Sequence, residues 1–260
     1  MKKTILLLVF CIGANLLFCQ KYPPPFLHVG YIDSVPVFSV LESKKIISIT
    51  GTDTIEIRSY PQKIFPLVVM DEYEILYSFE KDQYIINKQD TVYYVKDTYD
   101  GVAYDYKNDL LYATIDVYSK NNPKEILTLD LRTWKKKLLG IEGYVQKVVG
   151  ETMFFCIETE LNAGNVPWDI YKVNLEEKGR IKLLFKRNAL INNFAFSPDG
   201  KYLYAYNHKK EQVINTETSE IQNIDGPGFS EESPFFSHDN RFLIFYNPYN
   251  FKTVKVQIKI

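Results

Sequence analysis

The stretch NFAFSPDGKYLYAY, residues 193–206, decides the fold class. An alternating apolar segment leads into a tight SPDG turn, and a second apolar segment follows it. After an interval of 40 residues the arrangement returns as FFSHDNRFLIFY, residues 235–246, with Ser237 at the position of Ser197 and Leu243 at that of Leu203. A strand, turn and strand that recur at this period predict a repeat protein built from small antiparallel sheets.

A second marker recurs at a similar interval. Asp130, Asn174 and Asn215 each close an apolar segment and precede a polar turn, and the intervals between them are 44 and 41 residues. Asp and Asn side chains accept hydrogen bonds from nearby backbone amides and stabilise such turns. Two markers at about 40 residues predict units of four strands, which is the period of β-propeller blades.

The chain as a whole therefore predicts an all-β fold, a single β-propeller over residues 26–260. Six units fit this length best, so six four-stranded blades are expected, with five or seven as alternatives. The last unit offers only three strands. We expect an N-terminal strand, residues 26–32 or 35–41, to complete it and close the ring, which would remove exposed sheet edges.

Turn chemistry explains the repeated motif. Pro198 sets the first turn dihedral, Asp199 accepts hydrogen bonds from local amides, and Gly200 enters the left-handed region without steric cost. In the second copy Asn240 replaces glycine, and asparagine tolerates that region better than most residues. The motif is thus accounted for by the fold alone.

FSPDGKYL, residues 196–203, resembles the WD-like repeat of the TolB-type periplasmic propellers. FSHDNRFL, residues 236–243, is similar, with His238 in place of proline and Asn240 in place of glycine, and YDYKNDLL, residues 104–111, is similar more weakly. The resemblance covers two repeats well and the rest of the chain in strand pattern. It implies a propeller fold and a periplasmic protein partner, and says little about activity because propellers carry many functions.

Residues 1–19 are typical of a signal peptide: Lys2 and Lys3 form a basic start, and residues 5–18 are apolar but short and interrupted. Cleavage before Gln20 would release a periplasmic or secreted protein with no membrane span. The alternative is a lipoprotein anchored at Cys19, although Phe18 occupies the position where a bacterial lipobox has a small residue. Residues 20–25 predict a Pro-rich tether.

Charge and cysteine content exclude several classes of function. The chain has 31 basic and 32 acidic residues, and without Lys2 and Lys3 the basic count falls to 29, a net charge near −3. This argues against a nucleic-acid or anionic-membrane partner held by bulk charge. Cys156 is the single cysteine after the leader, so no internal disulfide is expected, and its apolar strand predicts a small buried hydrophobe.

No catalytic or metal motif stands out. His28, His208 and His238 are interpreted as solvated histidines, and no HExxH, CxxC, GxSxG, phosphate loop or dinucleotide fingerprint occurs. Acidic pairs such as Asp71-Glu72 fall in predicted turns. Catalytic carboxylates would also need partners that converge from other strands. The sequence predicts neither a metal nor a cofactor.

In an antiparallel blade the connections between strands lie alternately at its two ends. The short turns fall at one end and the long, irregular connections at the other, and binding residues concentrate on such loops. The candidates combine aromatic platforms with amide groups that suit a peptide or a glycan: Trp168, Tyr249, Asn121, Asn122, Asn162 and Asn165. The alternative is that these loops are solvent-exposed connections without a binding role and that Trp168 packs on its own blade.

The sequence thus predicts a monomeric, non-catalytic binding scaffold of the cell envelope, with an envelope protein or peptide as the first expected partner and a glycan as the second. One alternative is an enzyme acting on sugars or lactones with acidic residues around the central channel. Another is a lipid-anchored component of envelope assembly.

Overall fold

Every regular element in the described part of the chain is a β-strand. The computed structural model describes residues 26–40, 45–50, 53–61, 64–97, 99–115, 124–158, 168–176, 181–186, 193–206, 210–225, 233–246 and 253–260. The fold is therefore all-β, as the repeated strand–turn–strand units predict.

Twenty-three strands follow one another along the chain. They are β1 (Phe26–Ile32), β2 (Val35–Val40), β3 (Lys45–Thr50), β4 (Asp53–Ser59), β5 (Ile64–Val69), β6 (Glu74–Ser78), β7 (Gln83–Lys88), β8 (Thr91–Val95), β9 (Gly101–Asp105), β10 (Leu110–Ile115), β11 (Glu125–Asp130), β12 (Lys136–Glu142), β13 (Tyr144–Val149), β14 (Thr152–Glu158), β15 (Trp168–Asn174), β16 (Lys182–Phe185), β17 (Asn193–Phe196), β18 (Tyr202–Tyr206), β19 (Glu211–Asn215), β20 (Ile221–Ile224), β21 (Ser233–Phe236), β22 (Phe242–Tyr246) and β23 (Thr253–Gln257).

Consecutive strands pair antiparallel in groups of four: β9–β12, β13–β16 and β17–β20 each form one sheet. Strands β1–β4 and β5–β8 form two further groups, joined into one eight-stranded sheet by a parallel contact between β1 and β5. Strands β21–β23 form a sheet of three. The four-strand period inferred from the two sequence markers is confirmed.

The chain divides into two compact units. The middle unit, Tyr99–Ile224, contains the sheets β9–β12, β13–β16 and β17–β20. The terminal unit, Leu16–Thr98 with Asp225–Lys259, contains β1–β8 and β21–β23.

The core of the middle unit lies between the faces of its sheets. One cluster joins Ile126 and Tyr112 to Val145 and Phe155 of the next sheet, and a second joins Cys156 and Ile170 to Leu203, Ala205 and Ile214. The central strands are buried on both faces, which is why β10 and β18 are apolar at successive positions rather than at alternate ones.

The terminal unit depends on one close approach of two strands. Gly30 of β1 lies against Val69 of β5, and a Cβ atom on Gly30 would sit 1.8 Å from the Val69 carbonyl oxygen. Only glycine allows this contact. Around it Val29, Val37, Ile46 and Val69 form a small core.

The prediction that an N-terminal strand completes the last sheet is wrong. Strand β1 pairs with β2 and β5, and β2 pairs with β1 and β3, so both belong to the first group of strands. The reason is the turn between them: Asp33 and Ser34 have φ angles of 49° and 66°, the left-handed pair that favours a two-residue hairpin. Because of this hairpin, β1 and β2 pair with each other in the first group of strands, and neither belongs to the last sheet.

Each sheet has an end that carries its short turns, which we call the short-turn end. There an amide just beyond the third strand donates to a carbonyl in the turn between the first two strands. This bond recurs in four sheets, as Leu131 to Asp109 (2.9 Å), Leu175 to Glu151 (2.8 Å), Thr216 to Lys201 (2.8 Å) and Ile258 to Arg241 (2.9 Å).

Candidate functional site

Trp168 lies at the opposite end of its sheet from the short turn, and we call that end of the sheets the long-loop end. Trp168 is the first residue of β15 and pairs with Glu158 of β14. The other five candidates lie outside the described residues: Asn121, Asn122, Asn162, Asn165 and Tyr249. The structure thus gives a backbone position to one candidate of the six.

What the structure does describe is the base of these loops in the middle unit. The residue after Trp168, Asp169, is 4% exposed, and Tyr171 donates a hydrogen bond of 3.4 Å to its carboxylate. Burial and the Asp169 charge both raise the pKa of Tyr171. The phenol therefore stays protonated and remains a donor to the carboxylate.

A second buried acid follows the loop between β18 and β19. Glu211, the first residue of β19, is 7% exposed and lies opposite Tyr206 of β18. Burial, and after it the Glu211 charge, raise the pKa of both Tyr204 and Tyr206. Here again an acid at the start of the third strand of a sheet faces tyrosines that remain neutral.

An ion pair holds Lys124, the residue immediately before β11. Lys124 forms a salt bridge with Asp100, which is 5% exposed and lies just before β9. The Lys124 ammonium also lies 5.5 Å from the centre of the Tyr144 ring, within the range of a cation–π contact. The Lys124 carbonyl accepts the Gly143 amide at 2.8 Å, so backbone and side chain are both fixed.

The same anchor extends into the neighbouring sheet. Thr114, at the end of β10, is fully buried, and its hydroxyl oxygen accepts the Val145 amide at 2.9 Å. Its carbonyl accepts the Asp100 amide at 3.1 Å. Lys124 and the end of β10 are therefore held by groups from two neighbouring sheets.

These supporting residues were missed in the sequence, although a signal is present. In β15 and β19 an acid lies at the start of the third strand, directly after the connection from the second strand, as Asp169 in WDIYKV and Glu211 in EQVIN. A solvated acid would more often sit in the loop itself, so its placement inside the strand indicates burial. Lys124 carries no comparable signal because its partner is distant in the chain.

Histidine is used differently from the prediction. His28 is not a solvated loop residue: it lies in β1, partly buried, and stacks on Phe235 with ring centres 4.5 Å apart. It also contacts the rings of Tyr31 and Phe38 edge-on. His238 is exposed as predicted and contacts the Tyr31 ring at 5.5 Å. His208 lies outside the described residues.

At the short-turn end the polar atoms of the repeated motif bond to one another. The Ser197 hydroxyl donates to Asp199 at 2.8 Å and accepts the Tyr202 amide at 2.8 Å, and Asp199 also accepts the Lys201 amide at 2.9 Å. Asp130, Asn174 and Asn215 accept amides in their Asx turns. The structural roles inferred for both motifs are confirmed.

The described residues show no constellation for metal catalysis. Among them there is no group of three or more His, Cys, Asp and Glu side chains able to hold a metal ion. Cys156 is 1% exposed and packs in an apolar cluster, which confirms its interpretation as a core residue. In the same ranges there is no helix with the length and apolar character needed to cross a membrane.

Comparison by sequence identifies no relatives: no family model matches the chain, and no curated protein matches it.

Comparison by structure finds many similar chains. Hydrazine synthase from Kuenenia stuttgartiensis has a TM-score of 0.58 at 10% identity, over 95% of this chain and 99% of its own. TolB from Acinetobacter baumannii has a TM-score of 0.54 at 16% identity, over 90% of this chain and 63% of its own. The β-propeller domain of Cps50 (Swd1) from Myceliophteria thermophila has a TM-score of 0.53 at 13% identity, over 93% and 86%. At such identities the likeness shows the fold, a β-propeller similar to TolB and WD-repeat structures, and the chain spans less than two thirds of that TolB.

Proposed function

We propose that this β-propeller protein is exported and serves as a non-catalytic scaffold that binds an envelope protein or peptide at the long-loop end of its sheets. A glycan is the second class of ligand compatible with the candidate side chains.

The difference between the two ends of the sheets is the observation that carries the proposal. At the short-turn end the side chains of Ser197, Asp199 and Asn215 bond to their own turns. At the long-loop end buried polar residues such as Asp100 and Asp169 support the bases of long connections. Irregular loops on a rigid support are the usual location of binding residues.

The chemistry of the candidate loops favours a peptide or glycan over other ligands. Trp168 and Tyr249 offer aromatic faces, and Asn121, Asn122, Asn162 and Asn165 offer amide donors and acceptors. Aromatic rings combined with amides suit ligands that present both apolar faces and hydrogen-bonding groups. The net charge near −3 that remains without Lys2 and Lys3 supports a ligand that is not a polyanion.

Export rests on the leader. Lys2 and Lys3 followed by an apolar stretch at residues 5–18 have the composition of a secretory signal. Mass spectrometry of the protein purified from its native envelope distinguishes the two forms. An N-terminus at Gln20, free or cyclised, supports soluble export. An acylated Cys19 would contradict it and show a lipid-anchored protein instead.

An affinity pull-down from the native envelope, with the tagged full chain expressed at its natural level, tests the binding role. The Trp168→Ala and Tyr249→Ala variants should lose the captured partner while their melting temperatures stay close to the parent value. Lys107→Ala, an exposed change at the short-turn end, is the matched control and should retain the partner.

Two outcomes would contradict the assignment. If both aromatic variants lose stability, the two side chains belong to the core and not to a binding surface. If the control loses the partner and the aromatic variants do not, binding takes place at the short-turn end. Treatment of the captured material with a protease and with glycosidases then separates a protein ligand from a glycan.

A further inference from the structure

Two turns of the middle unit, each between the third and fourth strands of a sheet, share one backbone conformation. Trp134 in the β11–β12 turn and Ser219 in the β19–β20 turn have left-handed φ angles of 59° and 67°. The Trp134 amide donates to the Asp130 carbonyl at 2.7 Å, and the Ser219 amide donates to the Asn215 carbonyl at 2.9 Å. The two turns are therefore equivalent position by position.

The side chains of the two turns differ in charge and in kind. Residues 132–135 are RTWK, with two bases and no acid, and Lys136 and Lys137 follow at the start of β12. The equivalent residues 217–220 are ETSE, with two acids and no base. Because the acidic turn has the same backbone, the fold does not explain the basic and aromatic residues of the first turn.

Trp134 is the residue that this backbone conformation suits least. A left-handed φ angle is uncommon for residues other than glycine and is an outlier for a bulky side chain. Trp134 is 50% exposed, so burial of its ring in the core does not offset this cost. An exposed side chain kept at an unfavourable position points to a function outside the fold.

Two acids next to this turn are bonded within it. Asp109 forms a salt bridge of 2.6 Å with Arg132, and the Asp130 carboxylate accepts the Arg132 amide at 2.8 Å. Lys135 and Lys137 are both exposed. These two lysines contribute positive charge beyond that of the paired Arg132.

Every residue from 132 to 138, a segment that we call the basic turn, is exposed. The segment ends at Leu138 in β12, which is 54% exposed. Indole rings favour the boundary between lipid headgroups and hydrocarbon. Lysines lay their apolar stems along such a boundary while their ammonium groups stay among the headgroups. The composition of the basic turn therefore matches the surface of an anionic bilayer.

An acidic protein segment would match the charge of the basic turn but fits its shape less well. Successive residues of a strand point to opposite faces, so the exposed Lys136, Lys137 and Leu138 lie on both faces of β12 rather than on one. A projecting turn of this kind can enter a layer of headgroups that surrounds it. The net charge near −3 gives no overall attraction, so the local lysines must supply it and orient the molecule.

We propose that the basic turn, residues 132–138, docks on the surface of a bilayer that contains anionic phospholipid. Trp134 enters the headgroup boundary, Lys135 and Lys137 contact the lipid phosphates, and Leu138 adds apolar contact area. Contact of this kind is peripheral and reversible, and it weakens as salt screens the lysines. The basic turn lies at the short-turn end of its sheet, so this surface goes beyond the proposed function at the long-loop end.

Flotation of the full protein with lipid vesicles tests the proposal. Vesicles of about one third phosphatidylglycerol in phosphatidylcholine should carry more of the protein at low salt than vesicles of phosphatidylcholine alone. The difference should shrink at high salt. Every protein compared retains residues 1–19, so any lipid contact of the leader is common to all measurements.

Two pairs of lysine variants separate the basic turn from the total charge. Lys135→Gln combined with Lys137→Gln should lower the partition coefficient into anionic vesicles at least about tenfold. Lys81→Gln combined with Lys255→Gln is the matched control, because it removes the same charge from exposed positions elsewhere. The control pair should change partitioning by less than about twofold.

The equivalent turn supplies the variants for the aromatic ring. Trp134→Ser introduces the residue that the equivalent turn carries at the same backbone conformation, so the fold should tolerate it. It should lower the partition coefficient at least about threefold. Adding Ser219→Trp restores a tryptophan beside Glu217 and Glu220 and should not recover binding, because no lysine accompanies it in that turn.

Tryptophan fluorescence locates the contact, because the chain has only two tryptophans. In a Trp168→Phe protein, the emission of Trp134 should shift to shorter wavelength when anionic vesicles are added, and acrylamide should then quench it less. In the free protein acrylamide should quench the emission readily, as expected of a side chain that is 50% exposed.

Three results would overturn the proposal. One is equal partitioning into the two kinds of vesicle, or an equal loss in the two pairs of lysine variants. Another is a Trp134 ring already shielded from acrylamide in the free monomer, since another part of the chain then covers the turn. The third is an emission shift caused by a polyglutamate peptide and not by anionic vesicles, which would make an acidic protein segment the partner.

Discussion

The two copies of the repeated turn, residues 197–200 in the middle unit and 237–240 in the terminal unit, use the same hydrogen bonds in different surroundings. Ser197 and Ser237 donate to Asp199 and Asp239 at 2.8 and 2.7 Å, and each accepts an amide from the start of the next strand. Gly200 and Asn240 both adopt left-handed φ angles, 73° and 59°. The local chemistry of the turn is therefore independent of its context.

The packing of the two turns differs. Ser197 is fully buried, its carbonyl accepts the Lys147 ammonium at 2.9 Å, and Gly200 lies under the Phe154 ring. In the second copy Ser237 is only partly buried, whereas Asp199 and Asp239 are exposed in both turns. The motif therefore determines the hydrogen bonds of its own turn. The packing of the neighbouring sheet determines how much stability a substitution in that turn costs.

Exchanging the residues at the left-handed position should give the largest difference. A Cβ atom on Gly200 would lie 2.8 Å from Phe154, so Gly200→Asn is expected to lower the free energy of unfolding by about 2–4 kcal/mol through overpacking and backbone strain. Asn240→Gly should change it by less than about 1 kcal/mol. Urea unfolding of both variants measures this, and equal losses would show that packing does not distinguish the turns.

The buried amine should make the first turn sensitive to alkaline pH. Burial lowers the pKa of Lys147 from 10.5 to about 8, and the Asp199 charge opposes the shift. Between these pH values the unfolded chain binds more protons than the folded chain, so folding becomes more favourable as pH rises from about 8 to 10.5.

Comparison with Lys147→Met isolates this effect. The wild type should gain about 1–3 kcal/mol relative to the variant over that window. Urea unfolding at successive pH values gives the difference, and parallel curves for the two proteins would contradict it. The Ser197 carbonyl keeps a partner in the variant because it also accepts the Gly200 amide at 2.9 Å.

Removing the serine hydroxyl tests burial alone. Ser197→Ala leaves the buried Tyr202 amide without its acceptor and should cost about 1–2 kcal/mol. Ser237→Ala should cost less than about 1 kcal/mol because water can reach the partly buried site. Thermal or urea unfolding compares them, and a larger loss at Ser237 would reverse the proposed order of the two turns.

The smallest effect concerns acid stability of the second turn. The Ser237 hydroxyl, then the amide and side chain of Arg241, lower the pKa of Asp239 from 3.8 to about 2. This group adds stability above pH 3.8 that is lost as pH falls toward 2. Asp239→Asn should remove that part of the pH dependence, and Ser237→Ala should reduce it. An unchanged acid profile in both variants would contradict the assignment.

Much of the fold was predictable because it depends on local patterns. Alternating apolar segments and turn residues locate the strands, and Asp130, Asn174 and Asn215 mark the ends of third strands. The prediction that an N-terminal strand completes the last sheet was wrong because the Asp33-Ser34 turn pairs β1 with β2. Neither of these two residues marks a hairpin in the sequence. Pairing between distant strands leaves no local signal of that kind.

The candidate site was less predictable for the same reason. Composition indicates which loops could bind, but the Lys124–Asp100 pair and the Lys147–Ser197 bond join residues far apart in the chain. Whether these groups are buried or exposed depends on how the neighbouring sheets pack against them. The local sequence does not show that packing. His28 shows this directly, since its stacking on Phe235 depends on residues more than 200 positions away.

The division of the chain has a consequence for the order of folding during synthesis. Apart from Ile260, the described residues of the middle unit form one segment, Tyr99–Ile224, and each of its sheets is built from consecutive strands tied at the turn by a bond such as Leu131 to Asp109. Low sequence separation favours rapid formation. The terminal unit needs Asp225–Lys259 as well as its first part, so a nascent chain that has emerged from the ribosome only as far as residue 224 exposes the segment Tyr99–Ile224 and only part of the terminal unit. We expect the middle unit to acquire protease resistance on chains stalled with residue 224 outside the ribosome before the terminal unit does.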